Sequence, residues 1–297
     1  MNKIAVVAHS KKQLGGGLNE LRELLAAEGV TDPLWYEVPK SKHAPKAARK
    51  AKDAGAELVL VWGGDGTVQR CIDALAGSGV AIGILPAGTA NLLANNLSIP
   101  IDLESSVRVA LHGPRRLLDV GRINGERFAV MAGTGLDALM IKDADRGLKD
   151  RFGRAAYVWT GARHVRNEPT RMKVSINGQK WFDGDASCVL VANVSDITGG
   201  ITAFEHAIPD DGQLDVAVVT AEGAWQWARM FTRAAFGHAE KSPHVQMSKA
   251  HRIDVRLGRK VPYELDGGVR PTTDRLKITI EPGAMSIAVP EVALAPA

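Results

Sequence analysis

Two apolar runs, each ending abruptly at a glycine-containing turn and restarting as a helix, constrain this chain most. Leu58–Trp62 leads into Gly63-Gly64-Asp65-Gly66-Thr67 and a helix-like segment from Val68 to Ala76. Val80–Leu85 leads into Pro86-Ala87-Gly88-Thr89. Both runs are almost continuously apolar, the pattern of parallel strands covered by helices on two faces. Glycine lets the backbone adopt φ > 0 or pass close to a ligand, because no Cβ intervenes. The helix start that follows offers unpaired N–H groups to an anion. Asp65 would repel phosphate, so its place in the loop suits the handling of a metal ion or a proton while the backbone handles phosphate. Successive parallel strands send such loops to one carboxyl edge, where open α/β sheets take ligands. Thr89 and Asn91 add a hydroxyl and an amide there.

The surrounding segments agree. Ile4–Ala8 reads as a strand, Leu18, Leu21 and Leu25 share one helix face, and Leu34–Val38 is a second strand before a basic helix around Ala44–Ala54. A helix from Asp102 to His112 follows, with Asp102 as N-cap. After Leu117 the pattern changes to hairpins. Asn124-Gly125 and Asn177-Gly178 each sit between apolar runs, the signature of type I′ turns. Further strands are expected at Ala186–Val194, Leu214–Thr220, His251–Leu257, Val261–Leu265 and Leu276–Ile280, with helices near Phe152–Val165 and Ala224–His238. The expectation is an α/β N-terminal domain with an open, mostly parallel sheet over residues 1–121. A β-rich, antiparallel, sandwich-like C-terminal domain takes 122–284, and a last strand within 285–297 is free to return to the first domain.

Composition excludes several classes. A length of 297 residues suits about two domains. Aromatic residues are only 5% and show no interleaving with a basic stripe, so nucleic acid is not expected as a partner. Cys71 and Cys188 lie far apart in apolar segments, as buried thiols of a reducing compartment do. No signal-peptide pattern and no apolar run of membrane-spanning length occurs, so a cytoplasmic location is expected. There is neither a Walker A sequence nor a G-x-G-x-x-G opening the first helix.

Gly63-Gly64-Asp65-Gly66-Thr67 followed by Leu85-Pro86-Ala87-Gly88-Thr89-Ala90-Asn91 resembles the diacylglycerol kinase catalytic family of soluble lipid kinases, which includes sphingosine kinases and is distantly related to NAD kinases. Later segments agree with its bacterial branch: Gly133-Thr134-Gly135-Leu136-Asp137-Ala138, the stretch Leu148–Tyr157, Asp211-Gly212-Gln213-Leu214-Asp215-Val216, and Leu265-Asp266-Gly267-Gly268. The resemblance implies an ATP- and Mg²⁺-dependent phosphotransferase acting on a hydroxyl of diacylglycerol or a related lipid, with an interdomain cleft. It assigns Ser10, Gly63, Gly64, Gly66, Thr67, Gly88, Thr89 and Asn91 to the nucleotide. Asp65, with Asp266, takes the catalytic role, Asp137 faces the acceptor, and Asp211 and Asp215 form a metal-holding turn. Two readings stand for Asp137, head-group contact or loop cap, and two for Asp211 and Asp215, metal turn or ordinary Asp-Gly turn.

Three departures bear on the chemistry. Gly268 stands where many bacterial members carry Glu, a candidate catalytic residue, which leaves Asp65 and Asp266. The first loop reads Ala8-His9-Ser10-Lys11-Lys12 in place of an Asn-Pro-x-Ser-Gly-like turn, and Leu92 follows Asn91 where Asp is frequent. The alternatives are a NAD kinase-like enzyme with a soluble acceptor, or a nucleotide-binding protein with weakened catalysis because of Gly268. Expected partners are the lipid substrate, a transient peripheral contact with the inner face of the membrane, and a second copy through exposed edge strands. The basic run Lys40–Lys52 reads as a solvated helix face, and His164 and His206 show no ligand spacing with other His, Cys or acidic residues.

Overall fold

The computed structural model describes residues 3–135, 169–198, 201–235, 240 and 242–291. The chain divides into two compact units, Met1–Val120 with Pro282–Ala297, and Gly121–Glu281. The predicted helix near 152–165 lies outside the described residues.

In the first unit, β1 (Ile4–His9), α1 (Leu18–Ala27), β2 (Leu34–Val38), α2 (Ala44–Asp53), β3 (Leu58–Gly63), α3 (Asp65–Leu75) and β4 (Ala81–Pro86) alternate, followed by α4 (Leu92–Asn96) and α5 (Leu103–His112). The strands lie in the order β2-β1-β3-β4, all parallel. Every residue of β3 and β4 is buried, as continuously apolar strands between helix layers must be. The core joins Val6, Leu60, Trp62 and Leu85 of the strands to Leu21, Leu25, Leu103 and Val107 of the helices. On α2, Ala44, Ala47, Ala48 and Ala51 form the buried stripe and Lys46, Arg49, Lys50 and Lys52 point to solvent. Asp102 caps α5, accepting the Ser105 N–H at 2.8 Å.

The strand order reverses direction between β1 and β3, and the carboxyl ends beside such a switch point bound the ligand crevice of open sheets. Register brings three loops to that edge. Ala8 lies opposite Trp62, Trp62 opposite Leu85, and Gly63 opposite Pro86.

The second unit is antiparallel. Its strands follow as β5 (Arg115–Ile123, begun in the first unit), β6 (Glu126–Phe128), β7 (Met131–Thr134), β8 (Thr170–Ile176), β9 (Gln179–Ala186), β10 (Cys188–Ala192), the short pair β11 (Asp196–Thr198) and β12 (Ile201–Thr202), and β13 (Leu214–Val219). Then come α6 (Gly223–Ala235), β14 (Val245–Ala250), β15 (Arg252–Leu265) and β16 (Gly268–Ala288). Both Asn-Gly turns form as expected: Asn124 and Gly125 have φ of 49° and 99°, and Asn177 and Gly178 have 52° and 86°. β15 pairs with β7, β8 and β16, and β10 pairs with β7 and β13. Met172, Val174, Val189, Val191, Val216, Ile253, Val255 and Ile278 pack in its core.

Two pairs of expected strands merge. His251–Leu257 and Val261–Leu265 are one strand, because a register shift between Arg256 and Val261 absorbs the exposed Gly258-Arg259-Lys260. Leu276–Ile280 and the start of the last strand expected within 285–297 likewise fall within β16. Its early residues pair with β15, while Ile287 pairs in parallel with Ile82 of β4, so the last strand joins the first unit.

Candidate active site

The two glycine loops touch through their backbones. A Cβ built on Gly88 would stand 2.4 Å from Gly64 Cα, and one on Gly64 would stand 2.9 Å from Gly88 Cα. Gly63 is equally closed, since its Cβ would meet the Thr67 side chain at 2.6 Å. None of Gly63, Gly64, Gly66 and Gly88 has a positive φ. Of the two reasons for glycine considered from sequence, torsional freedom is therefore corrected to close approach, here of one loop to the other.

Asp65 joins the loops a second way. Its Oδ1 accepts the Leu92 N–H at 2.5 Å, capping α4 from α3. Burial pushes its pKa up from the ordinary aspartate value, while hydrogen bonds from backbone N–H groups of Leu92, Asn91 and Leu93 pull it back. Asn91 shapes the second loop from a left-handed conformation, φ 47°. Its Oδ1 accepts the Gly88 N–H at 2.9 Å, and its Nδ2 donates to the carbonyls of Pro86 and Gly88 at 3.0 and 3.1 Å. Both amide hydrogens thus serve the loop itself. The Thr67 hydroxyl is buried and hydrogen-bonded to Ser41 Oγ at 3.0 Å, whereas Thr89 is exposed. Gly64 opens α3 without a side-chain cap, so the first turn of this eleven-residue helix begins at the loop.

Ser10 is exposed on the adjoining loop and donates through its N–H and hydroxyl to Val38 O at 3.0 and 3.4 Å. Trp62 pins that loop from β3, donating Nε1–H to Lys12 O at 3.2 Å. His9 is buried and its ring accepts the Lys11 N–H; burial, then the nearby lysine charges, lower its pKa. Two contributors escaped the sequence reading. Ser41 holds Thr67, and Arg70 donates to Gly66 O at 3.1 Å, placing a guanidinium beside the first glycine loop. Arg70 lies one helical turn after Gly66, a spacing that signals the contact.

The remaining assigned residues belong to the second unit. Asp266, at φ 44° and 4% exposed, spends both oxygens on backbone: Oδ2 accepts from Ala129 at 2.8 Å, and Oδ1 from Val130 and Met131 at 2.9 Å each. Gly268 faces a guanidinium, since a Cβ there would stand 2.6 Å from Arg270 Nη1. Arg270 forks onto Glu126, donating through Nε at 2.7 Å and through Nη2. The Glu126–Arg270 pair was not foreseen, because nothing in the spacing of residues 126 and 270 announces it.

Asp211 and Asp215 already have a cation. Lys249 Nζ lies 2.6 Å from Asp211 Oδ2 and 3.9 Å from Asp215 Oδ2. Sheet register puts Lys249 directly opposite Asp215. Burial raises the Asp215 pKa and Lys249 opposes that shift. An ammonium in hydrogen-bond contact leaves this pair a poor fit for a divalent ion. Although His206 shows no ligand spacing along the sequence, the fold brings ligand atoms of Glu205, His206 and Glu240 within 4.8 Å of one another, all exposed. Chain folding supplies Glu240, which sequence spacing conceals. Asp137 lies outside the described residues.

The parallel sheet with paired glycine loops on its carboxyl edge, and the antiparallel unit after it, define a diacylglycerol kinase/NAD kinase-like fold. A diacylglycerol kinase from Bacillus anthracis superposes with a TM-score of 0.79 at 22% identity, covering 99% of this chain and 98% of that one. An NAD kinase from Archaeoglobus fulgidus gives 0.55 at 11% identity over 98% and 95%. Residues 4–123 match the diacylglycerol kinase catalytic domain, and residues 130–289 match the YegS C-terminal NAD kinase beta sandwich-like domain. The chain belongs to this lipid kinase family. It is 29% identical to the diacylglycerol kinase of Bacillus subtilis over 75% of each chain. It is 28% identical to a Pseudomonas aeruginosa protein named "probable lipid kinase YegS-like", over 97% and 95%. No helix among the described residues is long and apolar enough to cross a membrane.

Proposed function

We propose that this protein is an ATP-dependent lipid kinase that phosphorylates a hydroxyl of diacylglycerol or a related lipid. The observation that carries the reading is the Gly64–Gly88 contact, with Asp65 bound to Leu92 beside it. That contact assembles two phosphate-compatible turns into one surface at the carboxyl edge of the sheet. The family match to relatives named as kinases supports the same reading.

In the proposed reaction, the acceptor oxygen forms a bond to the γ-phosphorus as the bond from that phosphorus to the β–γ bridging oxygen breaks, and ADP leaves. Positioning and charge neutralisation carry most of such a transfer. The α3 N-terminus and Arg70 face the phosphates with positive potential. Mg²⁺ takes oxygen ligands, and Asp65 is the carboxylate on these loops able to hold it, directly or through water; when bound, the ion neutralises phosphate charge. The other role for the Asp65 carboxylate is on the acceptor: directly or through water, it orients the hydroxyl and takes up its proton.

The test is incubation with γ-labelled ATP and a fractionated lipid extract, with NAD offered in parallel. Label in a lipid product is the expected result; label in NADP alone, or in neither, overturns the proposal.

A further inference from the structure

The turn between Asp211 and Asp215 meets a cation carried by the neighbouring strand. Asp211 Oδ1 accepts the Gln213 N–H at 2.9 Å, and its Oδ2 accepts from Lys249 Nζ at 2.6 Å. The same ammonium lies 3.9 Å from Asp215 Oδ2. Gly212 O lies 2.9 Å from His251 Nδ1. Lys249 and His251 flank Ala250, which register sets opposite Leu214. Residues two apart on extended chain share a face, so one short segment carries both groups to the turn.

The side chains of Asp211 and Asp215 are 18% and 14% exposed, and that of Lys249 is 31% exposed. Two carboxylates this far from water, sharing one neighbour, need a positive charge beside them. The family resemblance implies a metal ion for that purpose. A hard divalent ion takes carboxylate oxygens at about 2.0–2.6 Å, and Nζ already holds Asp211 Oδ2. An ion seated on that oxygen would stand against the ammonium, two cations repelling each other, and Lys249 would lose its nearest acceptor. His206 is the other basic group within electrostatic reach of Asp215. We propose that Lys249 is a tethered structural cation taking the place of a metal ion in this turn, so that the second unit keeps its fold without divalent ions. The proposal is independent of the kinase reading, which rests on the glycine loops of the first unit.

Thermal denaturation of the full chain, in chelator and in millimolar magnesium or calcium, tests this without any measure of turnover. The wild-type melting temperature is expected to be the same in all three. Lys249→Met keeps an unbranched side chain and removes the charge. It should melt roughly 5 °C lower in chelator and recover most of that loss in calcium, whose irregular oxygen coordination suits the vacated carboxylates. Lys249→Arg keeps a cation and should stay indifferent to both additions. A wild-type melting temperature that falls in chelator overturns the proposal. So does a Lys249→Met chain that melts as the wild type does in chelator, or that folds yet gains no more from calcium than the wild type. If Lys249→Met does not fold, the wild-type and Lys249→Arg curves decide: indifference of both supports the tethered cation, and a fall of either in chelator overturns it.

Discussion

The carboxylate of Asp65 accepts the backbone N–H of Leu92, twenty-seven residues further along the chain. One side chain therefore caps the helix that follows the second glycine loop while sitting in the first. Any substitution of Asp65 tests chemistry and architecture together, and the two separate only by choice of replacement.

Asp65→Asn keeps an oxygen for the Leu92 N–H and removes the negative charge. Turnover should fall at least about a hundredfold, the usual scale for losing a positioned acid–base group, with little change in melting temperature. Asp65→Ala should lose the same activity and in addition about 1 kcal/mol of stability, as capping residues do. Labelled-phosphate transfer and thermal denaturation of the two variants check this; near-wild-type transfer by Asp65→Asn would remove Asp65 from the mechanism.

The pH dependence follows from the raised Asp65 pKa. In the role proposed for it Asp65 acts in its ionised form, so the acid limb of kcat/KM should lie above the ordinary aspartate range. Stability runs the other way. The folded state holds this proton more tightly than the unfolded chain, so the contribution is full below the unfolded pKa and is lost as pH rises through the folded one. Melting temperature against pH, compared with Asp65→Asn, should show this slope in the wild-type chain alone.

Gly88→Ala drives a methyl to within 2.4 Å of Gly64 Cα, where only backbone can yield. The loops must separate, at a cost of about 1–3 kcal/mol by the scale of overpacked sites. Calorimetric titration with ATP should show weakened binding, while Gly77→Ala, whose Cβ meets nothing within 4 Å but whose φ is 75°, should lose stability without losing affinity.

Asp266→Asn presents an NH₂ group to one of three backbone donors, Ala129, Val130 or Met131, and leaves that buried N–H unpaired. The expected loss is about 1–3 kcal/mol, read as a lowered denaturation midpoint. An activity loss without any stability loss would instead favour direct action of Asp266 on substrate.

Gly268→Glu tests whether a missing carboxylate limits this chain. The new side chain would arrive beside Arg270, whose flexible end can move, and compete with Glu126 for it. Held by that cation, it should change kcat by no more than about tenfold, the effect of about 1.4 kcal/mol. A larger gain would assign weak catalysis to Gly268.

Element type was readable wherever periodicity and turn chemistry were local. The apolar strands at Leu58 and Val80, the Asn-Gly turns and the Asp102 cap all depend on residues within a few positions of one another, so their physics is written in order along the chain. Strand ends were less legible, because Arg256–Val261 joins two runs through a register shift that exists only against a partner strand. The site divides the same way. The glycine loops were evident, yet the reason for their glycines was not, since a clash between Gly64 and Gly88 has no trace in either loop alone.

The amino-acid sequence by itself determined the parallel and antiparallel halves, the two loops and the lipid-kinase family, because repeating patterns and short motifs encode them directly. Tertiary structure decided what the polar side chains do. It turned Asp65 toward Leu92, closed Asn91 onto its own loop, committed both oxygens of Asp266 to backbone, set Lys249 between Asp211 and Asp215, and placed Arg270 beside Gly268. Hydrogen bonds and ion pairs act over about 3 Å of space regardless of separation along the chain, so only the folded arrangement names their partners.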